Sequence, residues 1–391
     1  MTVDTTPLDG GRYTFPPEWH PHLATILGFP SKASVSELLY DLLCNEIIDL
    51  AAAISEFEPV RLHARPEDIV AAQALIDSKV PNPKRVTLVP VPINHCWVRD
   101  TGPVYVHDAT GDLDPKHRLA ISFEFNDWGN KNGWNGTEPL DGYIYNCPAM
   151  SEEQIRENTD FARNVIAADS LSSPVRQIVA RIRAEGGAFV VDGEGTLIIS
   201  ESCMVCEERN PGQSRDQIEA ELCRLLGVGK VLWCPGRKRL DITDAHLDAE
   251  VRFVRPGVVL WSKHHPEAPE EWLPLSQEIL DVLQQETDAK GRKLEIHTVA
   301  EPPPSLLPMT DDDEFVASYV NFYFCNGGLI MPKFGADEYD RKALETIQAL
   351  MPDRQVRQVL LRAIPLSGGV IHCVTQQVPD LKASAVEYSR V

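Results

Sequence analysis

Short β-branched runs alternating with amphipathic stretches of helical period predict an α/β protein. Five segments in which a glycine or a small acidic cluster opens onto a strand predict that its β/α units are diverged repeats about a pseudo-symmetry axis. Composition agrees, because 43% hydrophobic and 24% charged residues among 391 are the proportions of a globular chain with a large core. Apolar residues at three- and four-residue spacing predict helices over 35–56, 66–77, 173–184, 214–226, 275–288 and 340–351. Short β-branched runs predict strands over 85–89, 188–191, 196–199, 230–233, 251–254, 258–261, 328–331 and 358–361. The five opening segments are Thr101-Gly102-Pro103-Val104, Gly186-Gly187-Ala188-Phe189, Asp248-Ala249-Glu250-Val251, Asn326-Gly327-Gly328-Leu329 and Gly368-Gly369-Val370-Ile371. Their unequal spacing excludes a simple solenoid. Residues 301–313, acidic and proline-rich, read as an exposed flap, and the polar ends, 1–15 and 380–391, as flexible termini.

A formal charge of -21 argues against nucleic acid and against anionic membrane surfaces, both of which demand basic patches. A small cationic ligand suits that balance, although solubility alone accounts for an acidic surface. Nine cysteines, odd in number and irregularly spaced, fit reduced thiols better than a disulfide framework. With neither a signal-peptide pattern nor a membrane-length apolar run, the expected location is the cytoplasm. Asn135-Gly136-Thr137 matches a glycosylation acceptor that such a protein would never present for modification.

Cys373 closes an apolar run just after the paired glycines 368 and 369, where the end of a strand would present one side chain at a rim. Asp100, Glu185, His246 and Asp248 each stand beside a strand-like segment. A thiolate attacks electron-poor carbon, and a histidine can protonate a leaving group and then deprotonate water. Extra carboxylates fit acyl transfer poorly, since they raise the cost of a thiolate and repel an oxyanion. They suit a guanidinium, whose paired N–H donors match carboxylates bidentately. His372, neighbouring Cys373 on a strand, should point to the opposite face and is read as structural. Cys44, Cys147, Cys223, Cys234 and Cys325 are read as buried structural thiols. Cys203 and Cys206 lack a second pair at zinc spacing, and His20, His22, His264 and His265 are read as solvated loop residues. No metal or organic cofactor is expected.

The motifs Trp97-Val98-Arg99-Asp100-Thr101-Gly102-Pro103, Phe123-Glu124-Phe125-Asn126-Asp127-Trp128-Gly129, Glu185-Gly186-Gly187, Thr243-Asp244-Ala245-His246-Leu247-Asp248, Tyr319-Val320-Asn321-Phe322-Tyr323 and Ile371-His372-Cys373-Val374-Thr375-Gln376-Gln377 resemble the agmatine deiminase and bacterial-type peptidylarginine deiminase family. The resemblance runs in order over nearly the whole chain. It implies a five-bladed α/β-propeller, the pentein fold, as a single catalytic domain over 16–379. It also implies Cys373 as nucleophile, His246 as general acid and base, Asp100 and Asp248 as guanidinium anchors, and Glu185 as the carboxylate that steadies His246. The implied reaction turns a guanidino group into a ureido group plus ammonia through an amidino-cysteine. The partner is then a small cationic guanidino substrate, agmatine or an arginine-derived metabolite or peptide; a homo-oligomer is left open.

Val190, Ile242, Asp244, Ala245 and Val370 depart from the agmatine deiminase pattern. They are expected to strip polar groups from the far end of the pocket, with Trp97, Trp128 and Phe189 as candidate walls. Two other readings stand beside the hydrolase: an amidinotransferase of the same fold, and a guanidine-binding protein whose activity has lapsed.

Overall fold

Parallel strands cannot be joined by a tight turn, so every parallel pair requires a crossover, and this chain supplies a helix each time. The computed structural model describes residues 8–111, 118–130, 150–170, 174–308 and 315–380. Cys147, the 135–137 motif, residues 1–7 and 381–391, and the end of the 301–313 segment lie outside those residues. The described strands are β1 Tyr13–Thr14, β2 His22–Gly28, β3 Val60–Ala64, β4 Val86–Pro90, β5 Val104–Asp108, β6 Arg118–Ser122, β7 Val175–Val179, β8 Val190–Val191, β9 Thr196–Ser200, β10 Lys230–Cys234, β11 Val251–Arg255, β12 Val258–Lys263, β13 Glu295–Ala300, β14 Tyr323–Cys325, β15 Gly328–Lys333, β16 Gln355–Leu360 and β17 Thr375–Pro379.

They form five small mixed sheets, ordered β17-β2-β3-β4, β1-β5-β6-β7, β10-β9-β8, β11-β12-β13 and β14-β15-β16. One unit recurs in all five: an antiparallel pair whose second strand crosses over to a parallel neighbour. The crossover helices are Glu37–Ser55 and Ile69–Lys79 in the first sheet, then Glu152–Ser170, Arg215–Leu226, Trp272–Gln285 and Asp337–Leu350. Because β17 pairs with β2, the last strand lies in the first sheet. Helix Glu37–Ser55 seats Leu43, Ile47, Leu50 and Ile54 in the core with no exposed surface.

The mixed α/β expectation is met, and several elements differ from it. Residues 173–184 were expected to be helical, since Val175, Ile178, Val179 and Ile182 recur at helical spacing. In the structure residues 175–179 are β7, paired in parallel with β6, and the helix of that unit is Glu152–Ser170, whose thin apolar stripe is lost among charged residues. Tertiary pairing outweighs local periodicity there. Residues 186–188 form a 3₁₀ turn, leaving a strand only at 190–191. The 326–329 segment is the β14–β15 hairpin, with Gly327 at φ +70°; the segment that opens onto β14 holds Asn321 instead. Cys373 lies in a turn ahead of β17, not at the end of a strand.

Helix Arg215–Leu226 begins with a complete capping box: the Ser214 side chain accepts from Gln217 N–H, and the Gln217 side chain accepts from Ser214 N–H. Ser214→Ala should cost about 1 kcal/mol. A denaturant melt should show a lower midpoint at unchanged slope.

Candidate active site

Each of the five units contributes the segment just ahead of an antiparallel strand. Asp100 sits in the helical turn Val98–Thr101 before β5, and Glu185 and Gly187 flank the 3₁₀ turn before β8. His246 and Asp248 lie at the 3₁₀ turn Leu247–Ala249 before β11. Asn321 precedes β14 and Cys373 precedes β17.

These segments meet around Gly187. A Cβ at Gly187 would lie 2.7 Å from His246 Nδ1, 2.9 Å from Asp100 Oδ1 and 3.2 Å from Asp248 Oδ2, so only a residue without a side chain leaves that space open. Asp100 is oriented on two sides, Oδ1 accepting from Gly187 N–H at 3.0 Å and Oδ2 from Trp128 Nε1–H at 2.8 Å. The Cys373 sulfur lies 3.7 Å from Asp248 Oδ2 and 3.4 Å from Asn321 Nδ2. His246 Nε2 is 3.3 Å from Glu185 Oε2, and its Nδ1 is 3.8 Å from Asp100 Oδ2.

Electrostatics follow from burial and charge together. Burial pushes the Cys373 thiol well above its usual range, and the Asp248 and Asp100 carboxylates push it further the same way. Burial alone would lower His246, but Asp100, Glu185 and Asp248 outweigh it and raise the imidazole to about 9. Burial raises Glu185, yet the Arg209 guanidinium, with His246, overrides this and holds it at about 2. Asp100 is raised, by burial first and then by Glu185 and Asp248, against the lowering influence of His246. Asp248 stays low because His372, His246 and Arg252 outweigh its burial. In its resting state the site therefore holds a neutral thiol with Asp248 and Glu185 ionised, and the imidazole carries its proton.

Above this floor opens a cavity of about 460 Å³. Trp97 and Trp128 line it. Phe189 does not: it is 1% exposed and packs its ring against Phe123, centroids 5.3 Å apart. Of the five departures from pattern, only Ile242 reaches the cavity wall; Val190, Ala245 and Val370 belong to the apolar core. Asp244 accepts from Arg209 Nη1 at 2.7 Å, sharing that guanidinium with Glu185. Nor is the far wall stripped of polar groups, because Glu250, His264, Glu271 and Glu301 line it. His264 is no solvated loop histidine: its ring bridges Glu250 at 2.8 Å and Glu301 at 2.9 Å, and these carboxylates outweigh burial to raise it to about 11. His20 and His22 are likewise buried, His22 Nδ1 lying 2.9 Å from Glu58.

Reasoning from sequence missed Arg209, Asn321 and Glu18, and it set His372 aside. Arg209 is fully buried, its Nε donating to both Glu185 oxygens at 2.7 and 3.0 Å. His372 has no exposed surface and contacts Asp248 at 2.6 Å. The argument that strand neighbours face opposite ways fails because residues 371–374 form a turn. A tyrosine-rich segment flagged Asn321 only as part of a motif; nothing in its spacing marked it as a partner of the sulfur.

Residues 14–379 match the model of the Porphyromonas-type peptidyl-arginine deiminase family. The chain is 34% identical to a putative agmatine deiminase 1 of Listeria monocytogenes, covering 97% of this chain and 99% of that protein. It is also 34% identical to the agmatine deiminase of Stutzerimonas stutzeri over 97% and 98% of the two chains. In structure it is similar to the agmatine deiminase of Enterococcus faecalis, with a TM-score of 0.80 at 26% identity over 95% of this chain and 99% of that one.

The crowding around Gly187 supplies a test of the site. Gly187→Ala should leave the near-ultraviolet circular dichroism unchanged and lower turnover by about a hundredfold or more, as displacing reacting groups by about an ångström does.

Proposed function

Because the chain belongs to the Porphyromonas-type peptidyl-arginine deiminase family, we propose that the space over Gly187 seats a guanidinium and that Cys373 attacks its central carbon. The protein is a hydrolytic guanidine deiminase. One observation carries the residue-level reading: the Asp100 and Asp248 carboxylates converge on one glycine-floored space, with the Cys373 sulfur 3.7 Å from the second of them. Such a pair offers a planar cation two bidentate acceptors. A neutral or anionic substrate would find only repulsion or desolvated charge there.

In this reading the bound guanidinium offsets the carboxylates that hold the thiol neutral, and Cys373 gives up its proton to solvent in the open cavity as the substrate arrives. Its sulfur bonds to the guanidinium carbon. His246, charged below about pH 9, protonates the departing nitrogen, and ammonia leaves as the C–N bond breaks. An amidino-cysteine remains. The neutral imidazole then takes one proton from water as the oxygen bonds to the carbon; the C–S bond breaks, and the second water proton passes to the leaving sulfur, which releases the ureido product and restores the neutral thiol. Glu185, fixed by Arg209, steadies the imidazolium. The thiol supplies the nucleophile and the substrate brings its own charge, so these steps call on no further group.

The five recurring units, with β17 paired to β2, support a five-bladed α/β-propeller whose blades each bring one segment to the central site. Agmatine is the first substrate to try, since that is the named substrate of the relatives at 34% identity. The outer cavity, walled by Ile242, Trp272 and the His264 cluster, has room for more than agmatine, which keeps arginine-derived small molecules and peptides in view.

Ureido product and ammonia should form from at least one of agmatine, arginine and short arginine peptides, and not with Cys373→Ser. Turnover of agmatine alone would make it the substrate; turnover of an arginine compound alone would show that the outer wall selects against agmatine. No product from any of them would overturn the proposed function. Two pH signatures accompany it. Because His246 must start protonated and is raised to about 9 in the free protein, kcat/KM should fall as pH rises through about 9. The pH midpoint for alkylation of Cys373 should move down when guanidinium ion is added; a midpoint that ignores the ion would refute substrate-assisted ionisation.

A further inference from the structure

Taking charges out of water costs several kcal/mol per ion unless geometry and hydrogen bonds compensate, so a buried chain of them beside a reactive sulfur calls for an account. Nothing in the reaction above uses His372. Yet its ring is fully buried, with Nδ1 2.6 Å from Asp248 Oδ2 and Nε2 2.8 Å from Glu18 Oε1. An ionised carboxylate can only accept, so both ring nitrogens donate. The same Asp248 oxygen lies 3.7 Å from the Cys373 sulfur. At the far end Glu18 is ion-paired with Arg252, whose Nη1 donates to Phe322 O at 3.0 Å, and Arg99 lies 4.0 Å from Glu18. Arg99 Nε also donates to the His372 carbonyl at 3.3 Å. The chain Arg252, Glu18, His372, Asp248 thus runs from β11 through the segment before β2 to the sulfur.

We propose that His372 is a positioning residue of the active site, its Nδ1–H setting which Asp248 oxygen faces Cys373 and keeping that carboxylate ionised to receive the guanidinium. Glu18 and Arg252 hold the ring so that this donor cannot turn away. The inference rests on Asp248 being a guanidinium anchor. The charged and titratable groups facing the pair are Glu18, Arg99, Asp100, His246, Arg252 and Cys373, and among them His246 and Arg252 join His372 in holding Asp248 low against its burial. Removing His372 takes away the hydrogen bond and the nearest compensating charge. Burial then raises Asp248, and the seat loses its charge as pH falls toward the new value.

Two near-isosteric substitutions separate positioning from packing. The amide nitrogen of asparagine takes the place of Nδ1, and that of glutamine the place of Nε2. His372→Asn therefore retains a donor to Asp248, and His372→Gln retains one only to Glu18. With agmatine, or the arginine compound that the wild type turns over, His372→Gln should raise KM by about 10- to 100-fold, by analogy with the outer partners that orient metal ligands. That KM should fall as pH rises, with kcat little changed, and His372→Asn, which keeps the hydrogen bond to Asp248 but not the charge, should raise KM by less. Equal KM increases in both variants, independent of pH, would reduce His372 to packing and overturn the inference. Asp248→Asn with an unchanged KM would remove the anchor on which it rests, leaving the deiminase reading intact. Absence of turnover by the wild type would overturn both. Should the substituted chains fail to fold, ring ¹⁵N shifts of His372 in the unsubstituted protein decide: protons on both nitrogens support the proposal, and a neutral ring overturns it.

Discussion

Several carboxylates share the floor of one cavity, and like charges so close are tolerated only because buried cations answer them. Arg209 stands between Glu185 and Asp244, His372 between Asp248 and Glu18, Arg252 behind Glu18, and His246 between Asp100 and Glu185. Removing one member of a buried pair leaves an uncompensated charge costing about 3–5 kcal/mol. The geometry of the reacting groups is therefore a by-product of charge compensation. Each acidic oxygen points where its cation or N–H donor holds it.

This compensation explains how the site stays ready without being reactive. A thiol among carboxylates remains neutral, which shields Cys373 from oxidants and adventitious electrophiles, since the thiolate is the reactive form. An incoming cation changes that balance locally and temporarily. In the proposed reaction the substrate supplies the missing charge, so selection of the substrate and activation of the nucleophile are one event. Glycine at 187 is the steric counterpart of the same arrangement: the space proposed for the guanidinium is kept open by the absence of a Cβ.

The repeated unit makes the convergence possible. Every sheet enters through an antiparallel strand, and the backbone just before that strand is short, irregular and rich in groups not committed to a ladder. Those five segments carry Asp100, Glu185, His246 with Asp248, Asn321 and Cys373. Rigid sheets position them, while the irregular backbone gives freedom of side-chain direction. Positive φ at Asp244 and Ala245 shows strained backbone at the site, over-determined by the hydrogen bonds of Asp241 to Thr243 and Ala245.

Much of this was legible in the amino-acid sequence. Helical periods located Glu37–Ser55, Arg215–Leu226, Trp272–Gln285 and Asp337–Leu350 within a few residues, because each buries one apolar stripe and that stripe is local information. The residues of the cavity floor were legible because thiol, imidazole and carboxylate are chemically conspicuous next to glycine. Pairing was not. Residues 175–179 carry apolar residues at helical spacing, and only pairing with their neighbour β6 made them a strand. Nor could the sequence reveal the compensating charges: an arginine at 209, a glutamate at 18 and a histidine beside the cysteine look like ordinary polar residues until folding buries them against charges far away in the chain. Local composition determined what chemistry the chain carries; long-range burial, which sets the cost of every charge, decided how that chemistry is held.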